Sequence, residues 1–226
     1  MNAERDPSVA RWRSPLVFPL KALAAVSSSA VFGLVAALAF EQWSLGVAVG
    51  LGFLFGTAFI AGTGYRILVA LWQRQLRYAP TSWSGATATS AMASAAGFVA
   101  LVLAGHAGAP LLLGFALAIN IAYFCVKLGC LLAGCCGSRE GGVERGFDLR
   151  HLEIGWTLLI LVLAAITGVL QPAVGASLGV LGHVLLRLFS RARRGRFSLG
   201  WPPMRQPGAE LVPLYLVLTL TLVSHF

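Results

Sequence analysis

The strongest constraint on this chain is a series of long apolar runs, with most of its charge lying outside them. The runs cover Leu16–Phe40, Leu45–Trp72, Ala86–Ala104, Pro110–Ala133, Leu152–Leu170, Ala173–Phe189 and Ala209–Phe226. Each is near or above the ~20 residues that a helix needs to cross a bilayer. Inside lipid every backbone N–H and C=O must be bonded within the protein, so only helices and closed barrels can span. Strand-type alternation is absent from the runs, which excludes the barrel. The expected fold class is therefore all-α, a polytopic membrane bundle of about seven transmembrane helices. Composition agrees: the 226 residues are 58% hydrophobic and 11% charged, whereas soluble domains carry roughly 25% charged residues. Residues 1–15 read as a polar N-terminal tail and 16–226 as a single transmembrane domain without internal repeats. The second run exceeds one straight span, so its end near Arg66 is expected at the membrane interface. The first run is too long for the apolar region of a signal peptide, so no cleavable leader is expected.

The formal net charge of +9 does not point to nucleic acid, because the cations sit in particular connections. Arg5, Arg11 and Arg13 lie in the tail, Arg74 and Arg77 in the second connection, and Arg139, Arg145 and Arg150 in the fourth. Arg191, Arg193, Arg194, Arg196 and Arg205 lie in the sixth. The alternate connections hold little beyond Glu41, His106 and the uncharged Gln171-Pro172. All basic segments then share one side, which the positive-inside rule places in the cytoplasm with the N-terminus. The Arg191–Arg196 cluster fits that topology signal and contact with anionic lipid headgroups.

Small residues crowd the third run from Ala86 to Gly97, and glycines recur through the second. Small faces let membrane helices approach closely, so the third helix is expected to be central. Asn120 lies about two turns before Lys127 on a 3.6-residue repeat. Its side chain reads as interhelical glue or as part of a site.

Four places could carry chemistry. The first is the segment Val126–Arg139, which mixes Lys127 with Gly129, Cys130, Gly134, Cys135, Cys136 and Gly137. A cation at this depth is costly without a partner or a task. The thiols of Cys125, Cys130, Cys135 and Cys136 leave three readings open: apolar packing, a disulfide, or a metal site. Their spacing does not fit the usual zinc knuckle, and no metal ligand is assigned. The second is Arg150-His151-Leu152-Glu153, where Glu153 reads either as a carboxylate favoured by a helix start or as one that holds a cation or a substrate proton. The third is the pair His183 and Arg187, which share one helix face, either as a span anchor or as a phosphate site. The fourth is Ser82-Trp83-Ser84-Gly85, with Trp83 as an interface anchor and the serines as helix caps. No nucleophile elbow of the serine hydrolases is present.

In order along the chain, these segments resemble the prolipoprotein diacylglyceryl transferase family of bacterial membranes. Gly64-Tyr65-Arg66 is similar to that family's Gly-x-Arg, and Ser82-Trp83-Ser84-Gly85-Ala86 to its aromatic-His-Gly-Gly segment. Lys127-Leu128-Gly129-Cys130 is similar to its Arg-x-Gly-Asn signature, with the Gly-Cys-x-x-x-Gly-Cys-Cys pattern of divergent members. Arg150–Glu153 stands at its Gln-Leu-Tyr-Glu, and His183 with Arg187 at its Tyr-x-x-x-Arg. The likeness runs from the second run to the end and includes the count of seven spans. Ser84 stands where the family has His, Lys127 where it has Arg, Cys130 where it has Asn, Arg150 where it has Gln, and His183 where it has Tyr. A lysine offers a point charge where arginine offers a two-pronged fork. The family's N-terminus faces outward, whereas the charge pattern here places it inward.

The resemblance implies a multi-pass protein of the bacterial plasma (inner) membrane. It would move diacylglyceryl from phosphatidylglycerol to the cysteine thiol of a lipoprotein precursor, without a cofactor. It implies Lys127, Glu153, His183 and Arg187 as catalytic residues. Arg66, Ser82, Ser84, Gly85, Gly129, Cys130 and Arg150 would line the substrate. The phospholipid and the lipoprotein precursor are the implied partners. Two further classes stand beside it: a non-catalytic relative that binds anionic lipid or a lipidated partner, and a membrane thiol-redox or metal-binding protein that uses Cys130, Cys135 and Cys136.

Overall fold

A computed structural model describes residues 17–39, 45–72, 83–105, 108–132, 149–193 and 211–223. Among them are seven helices and no strand: α1 Val17–Ala39, α2 Leu45–Trp72, α3 Trp83–Leu103, α4 Ala109–Leu132, α5 Leu149–Leu170, α6 Pro172–Arg193 and α7 Leu211–Val223. Each apolar run has become one helix. By length and composition α4, α5 and the Pro172–Ser190 stretch of α6 are able to cross a membrane.

Two connections show how the sequence turns the chain. After α3, Gly105 takes φ +80°, a left-handed conformation that costs glycine little, and its N–H bonds Val102 O at 3.0 Å. Pro110 then falls in the first turn of α4, where its missing N–H costs nothing. Between α5 and α6 only Gln171 intervenes, and Pro172 opens the second helix. The result is a tight antiparallel hairpin. Its contact needs small residues: a Cβ on Gly175 would meet the Gly168 backbone and Ala164 O.

The helix at the centre is α4, not the small-residue helix α3. It packs against α1, α3, α5, α6 and α7, while the other six follow one another around it as α1, α2, α3, α7, α6, α5. Of its most apolar stretch 67% is buried, against 28% for α5, whose outward Leu158, Leu159, Val162, Leu163, Ile166 and Val169 are exposed. Such a continuous apolar face suits lipid rather than water. The small residues of α3 serve a side contact instead: Thr89 donates to Ala58 O of α2 at 2.6 Å. What occupies the centre is bulky, with Leu112, Phe115, Ile119 and Tyr123 of α4 almost fully enclosed.

Two helix starts also differ from the sequence expectation. α3 begins at Trp83, so Ser84 lies inside its first turn rather than at a cap. α5 begins at Leu149, three residues early, which carries Glu153 beyond the first turn. Gly175→Leu tests the hairpin contact: it should lower stability by at least roughly 1–3 kcal/mol, the cost of overfilling a packed contact. Thermal unfolding in detergent reads this; an unchanged midpoint would contradict the contact.

Candidate functional site

Periodicity places Asn120, Tyr123 and Lys127 on one side of α4, Glu153 and Thr157 on one side of α5, and His183, Arg187 and Ser190 on one side of α6. Because α4, α5 and α6 pack mutually, the three sides meet. All eight side chains are buried, and Glu153 and His183 have no exposed surface.

The cluster is joined by short contacts. Lys127 Nζ lies 2.7 Å from Glu153 Oε2. Tyr123 donates its hydroxyl to Glu153 Oε1 at 3.0 Å and accepts from Arg187 Nη1 at 3.3 Å. Both carboxylate oxygens of Glu153 are thus engaged. The Tyr123 ring also lies near both cations, 5.1 Å from Lys127 Nζ and 5.4 Å from the Arg187 guanidinium carbon, within the reach of a cation–π attraction. Edge-on, the same ring meets the imidazole of His183 at 5.2 Å and 82°. His183 Nδ1 lies 3.1 Å from Asn120 Oδ1, and Thr157 donates to Glu153 O at 2.7 Å. Trp156 Nε1 donates to Gly182 O at 3.3 Å, tying α5 to α6 beside the cluster.

The four residues implied as catalytic, Lys127, Glu153, His183 and Arg187, therefore stand together, linked through Tyr123. Glu153 is the partner of a cation, one of its two sequence readings, and not a carboxylate at a helix start. Arg150 sits in the first turn of α5, three residues before Glu153, and is half-buried. Cys130, seven residues after Tyr123, continues that side of α4 toward its end, whereas Gly129 points to another side. Cys125 is buried close to Ser27 of α1, and no disulfide joins it to Cys130.

Arg66 lies on α2, and Ser84 and Gly85 on α3, but their side-chain surroundings are outside the described residues, as are Ser82, Cys135 and Cys136 entirely. α2 packs on α1 and α3 rather than on the helices that form the cluster.

Tyr123, Thr157 and Ser190 are the members that sequence reading misses. The signal for Tyr123 was its place three residues after Asn120 and four before Lys127, a phenol on the polar side of an apolar helix. Ser190 follows His183 by seven residues, and its buried hydroxyl has no hydrogen-bond partner among the described residues.

Chemically, two cations face one carboxylate in a water-poor place. Such a site attracts a further negative charge, and fixed donors act there more strongly than in water. The chain matches no protein-family model, no curated protein and no solved structure. The reading of the site thus stands on its residues and on the sequence resemblance.

Two outcomes follow from the geometry. Glu153→Gln strands Lys127 as a buried charge and should destabilise by about 3–5 kcal/mol, whereas adding Lys127→Met should recover most of that loss. Chemical denaturation in detergent measures both; strictly additive losses would contradict the ion pair. Tyr123→Phe removes one hydroxyl shared by two charged groups and should cost about 1–3 kcal/mol in the same assay.

Proposed function

We propose that this protein is a seven-span enzyme of the bacterial plasma membrane that transfers diacylglyceryl from phosphatidylglycerol to a cysteine thiol of a lipoprotein precursor. The observation that carries the proposal is the meeting of Lys127, Glu153, His183 and Arg187 from three separate helices in one buried cluster. These are the positions that the resemblance implies as catalytic.

In this reaction the thiol sulfur bonds to the terminal glyceryl carbon of the lipid. The bond from that carbon to the phosphate oxygen breaks, and its electron pair leaves with glycerol phosphate. Two tasks fall to the protein. Arg187 and Lys127 stabilise the charge gathering on the departing phosphate, and His183 takes the thiol proton. Glu153 and Tyr123 hold the cations in place. The acyl chains need an apolar path. The stripe Leu117, Ile121, Phe124 and Leu128 of α4 is half-buried. It runs between the α1 side, where Gly114 meets Phe32, and the α5 side, where Leu113 meets Gly168. That half-buried apolar strip supports a lateral route to the cluster.

A second reading has an observation of its own. Glu153 already satisfies Lys127 at 2.7 Å, as expected of a protein that binds an anionic lipid, or a lipidated partner, without turning it over. A thiol-redox or metal reading would depend on Cys135 and Cys136 together with Cys130. Among the described residues no three His, Cys, Asp or Glu side chains gather.

Complementation of a transferase-depleted bacterium, scored by lipoprotein mobility, separates the first two. The wild-type chain should restore mature lipoprotein. Lys127→Ala and Arg187→Ala should each lose roughly 10²–10³-fold in product, as when one preorganised stabilising donor is removed. Good membrane expression of the wild-type chain without any product would favour the binder.

A further inference from the structure

We infer that Asn120 is a positioning residue that fixes His183 as its Nδ1–H tautomer, leaving Nε2 as the one ring nitrogen that takes up and releases a proton. Asn120 Nδ2 lies 2.8 Å from Ala116 O and 3.1 Å from Gly179 O. Carbonyl oxygens only accept, so the NH2 group must face them. Turned over, the amide would set its own oxygen against two carbonyl oxygens and forfeit both bonds. The network thus decides which end of Asn120 is which, as it must for any amide.

Oδ1 then faces His183 Nδ1 at 3.1 Å. An amide oxygen accepts and cannot donate, so Nδ1 carries a hydrogen. This holds for the neutral ring and for the imidazolium, because the latter is protonated on both nitrogens. Both residues have no exposed surface, so bulk water is not at hand to replace the amide. Tyr123, edge-on at 5.2 Å, packs against the ring. A second group that sets the tautomer of a working histidine is a general device of catalytic and metal-binding histidines.

The charged and titratable groups around the ring come from each packed element: Tyr123 and Lys127 from α4, Glu153 from α5 and Arg187 from α6 itself. The described part of α7 adds only Tyr215, which is exposed. The tautomer follows from the Asn120 contacts alone. That Nε2 receives a substrate thiol proton rests on the proposed function. Asn120 therefore does more than tie α4 to α6: it selects which side of the imidazole is basic.

Nitrogen NMR of the full chain, labelled on histidine and held in lipid nanodiscs above the imidazole titration, tests this. The chain has four histidines, and the His183 signals are those lost in His183→Gln. The wild type should show a pyrrole-like Nδ1 and a pyridine-like Nε2 for His183. Asn120→Leu should move the proton to Nε2, the form preferred by free imidazole side chains. A wild-type His183 with the proton on Nε2 overturns the inference, and so does an unchanged pattern in Asn120→Leu. If the leucine variant does not fold, the wild-type spectrum decides alone. The expected tautomer in a protein without lipid transfer upholds this inference and counts against the proposed function. The opposite tautomer in an active protein overturns this inference only.

Discussion

The buried pair of Lys127 and Glu153 is the constraint around which the rest is arranged. Removing two charges from water is expensive, and their mutual attraction recovers that cost only with close geometry and further hydrogen bonds. The fold supplies both: a 2.7 Å contact and the Tyr123 hydroxyl on the other carboxylate oxygen. Such a pair is a poor way to gain stability, since well-packed apolar residues of the same volume serve as well or better. Its presence at the junction of α4, α5 and α6 is better explained by what a fixed carboxylate does for two cations. It holds Lys127 directly and Arg187 through the shared phenol.

Much of the fold was legible because the apolar runs are long and their breaks are chemically clear. Gly105, Pro110 and Pro172 stand where helices end or begin. The centre of the bundle was misjudged for a physical reason. Small residues report close approach, not centrality, and the close approach of α3 is to its neighbour α2. The better signal for α4 was its polar content: a helix carrying Asn120 and Lys127 must find partners on several sides. From sequence the start of α5 falls too late because the polar pair Arg150-His151 reads as connection before Leu152. Asp148, a good capping residue type, precedes Leu149 and marks the earlier start. Of the site, the charged members were visible as misplaced polarity. Tyr123 was not, because a tyrosine in an apolar run reads as bulk until its hydroxyl is seen between two charged groups.

The cluster narrows the functional alternatives by its charge and its depth. Under the proposed function, two cations and one carboxylate, joined to a histidine and away from water, would receive a negatively charged group arriving from the bilayer. Lipid transfer and lipid binding both begin with that event and part only at the next step. Transfer requires the phosphate to be held more strongly as it leaves, and it requires a base. His183, the imidazole of the cluster, is the group suited to the second task, and its orientation by Asn120 bears directly on whether it can perform it.

The central claim is that Lys127 and Arg187 flank a place for a lipid phosphate. An experimental structure of the chain in nanodiscs rich in phosphatidylglycerol tests it most directly. The account predicts headgroup density against Arg187 and Lys127, with acyl density along Leu117, Ile121 and Phe124. A closed Lys127–Glu153–Tyr123–Arg187 cluster, with every resolved phosphate lying at the outer rim of the bundle, would contradict it.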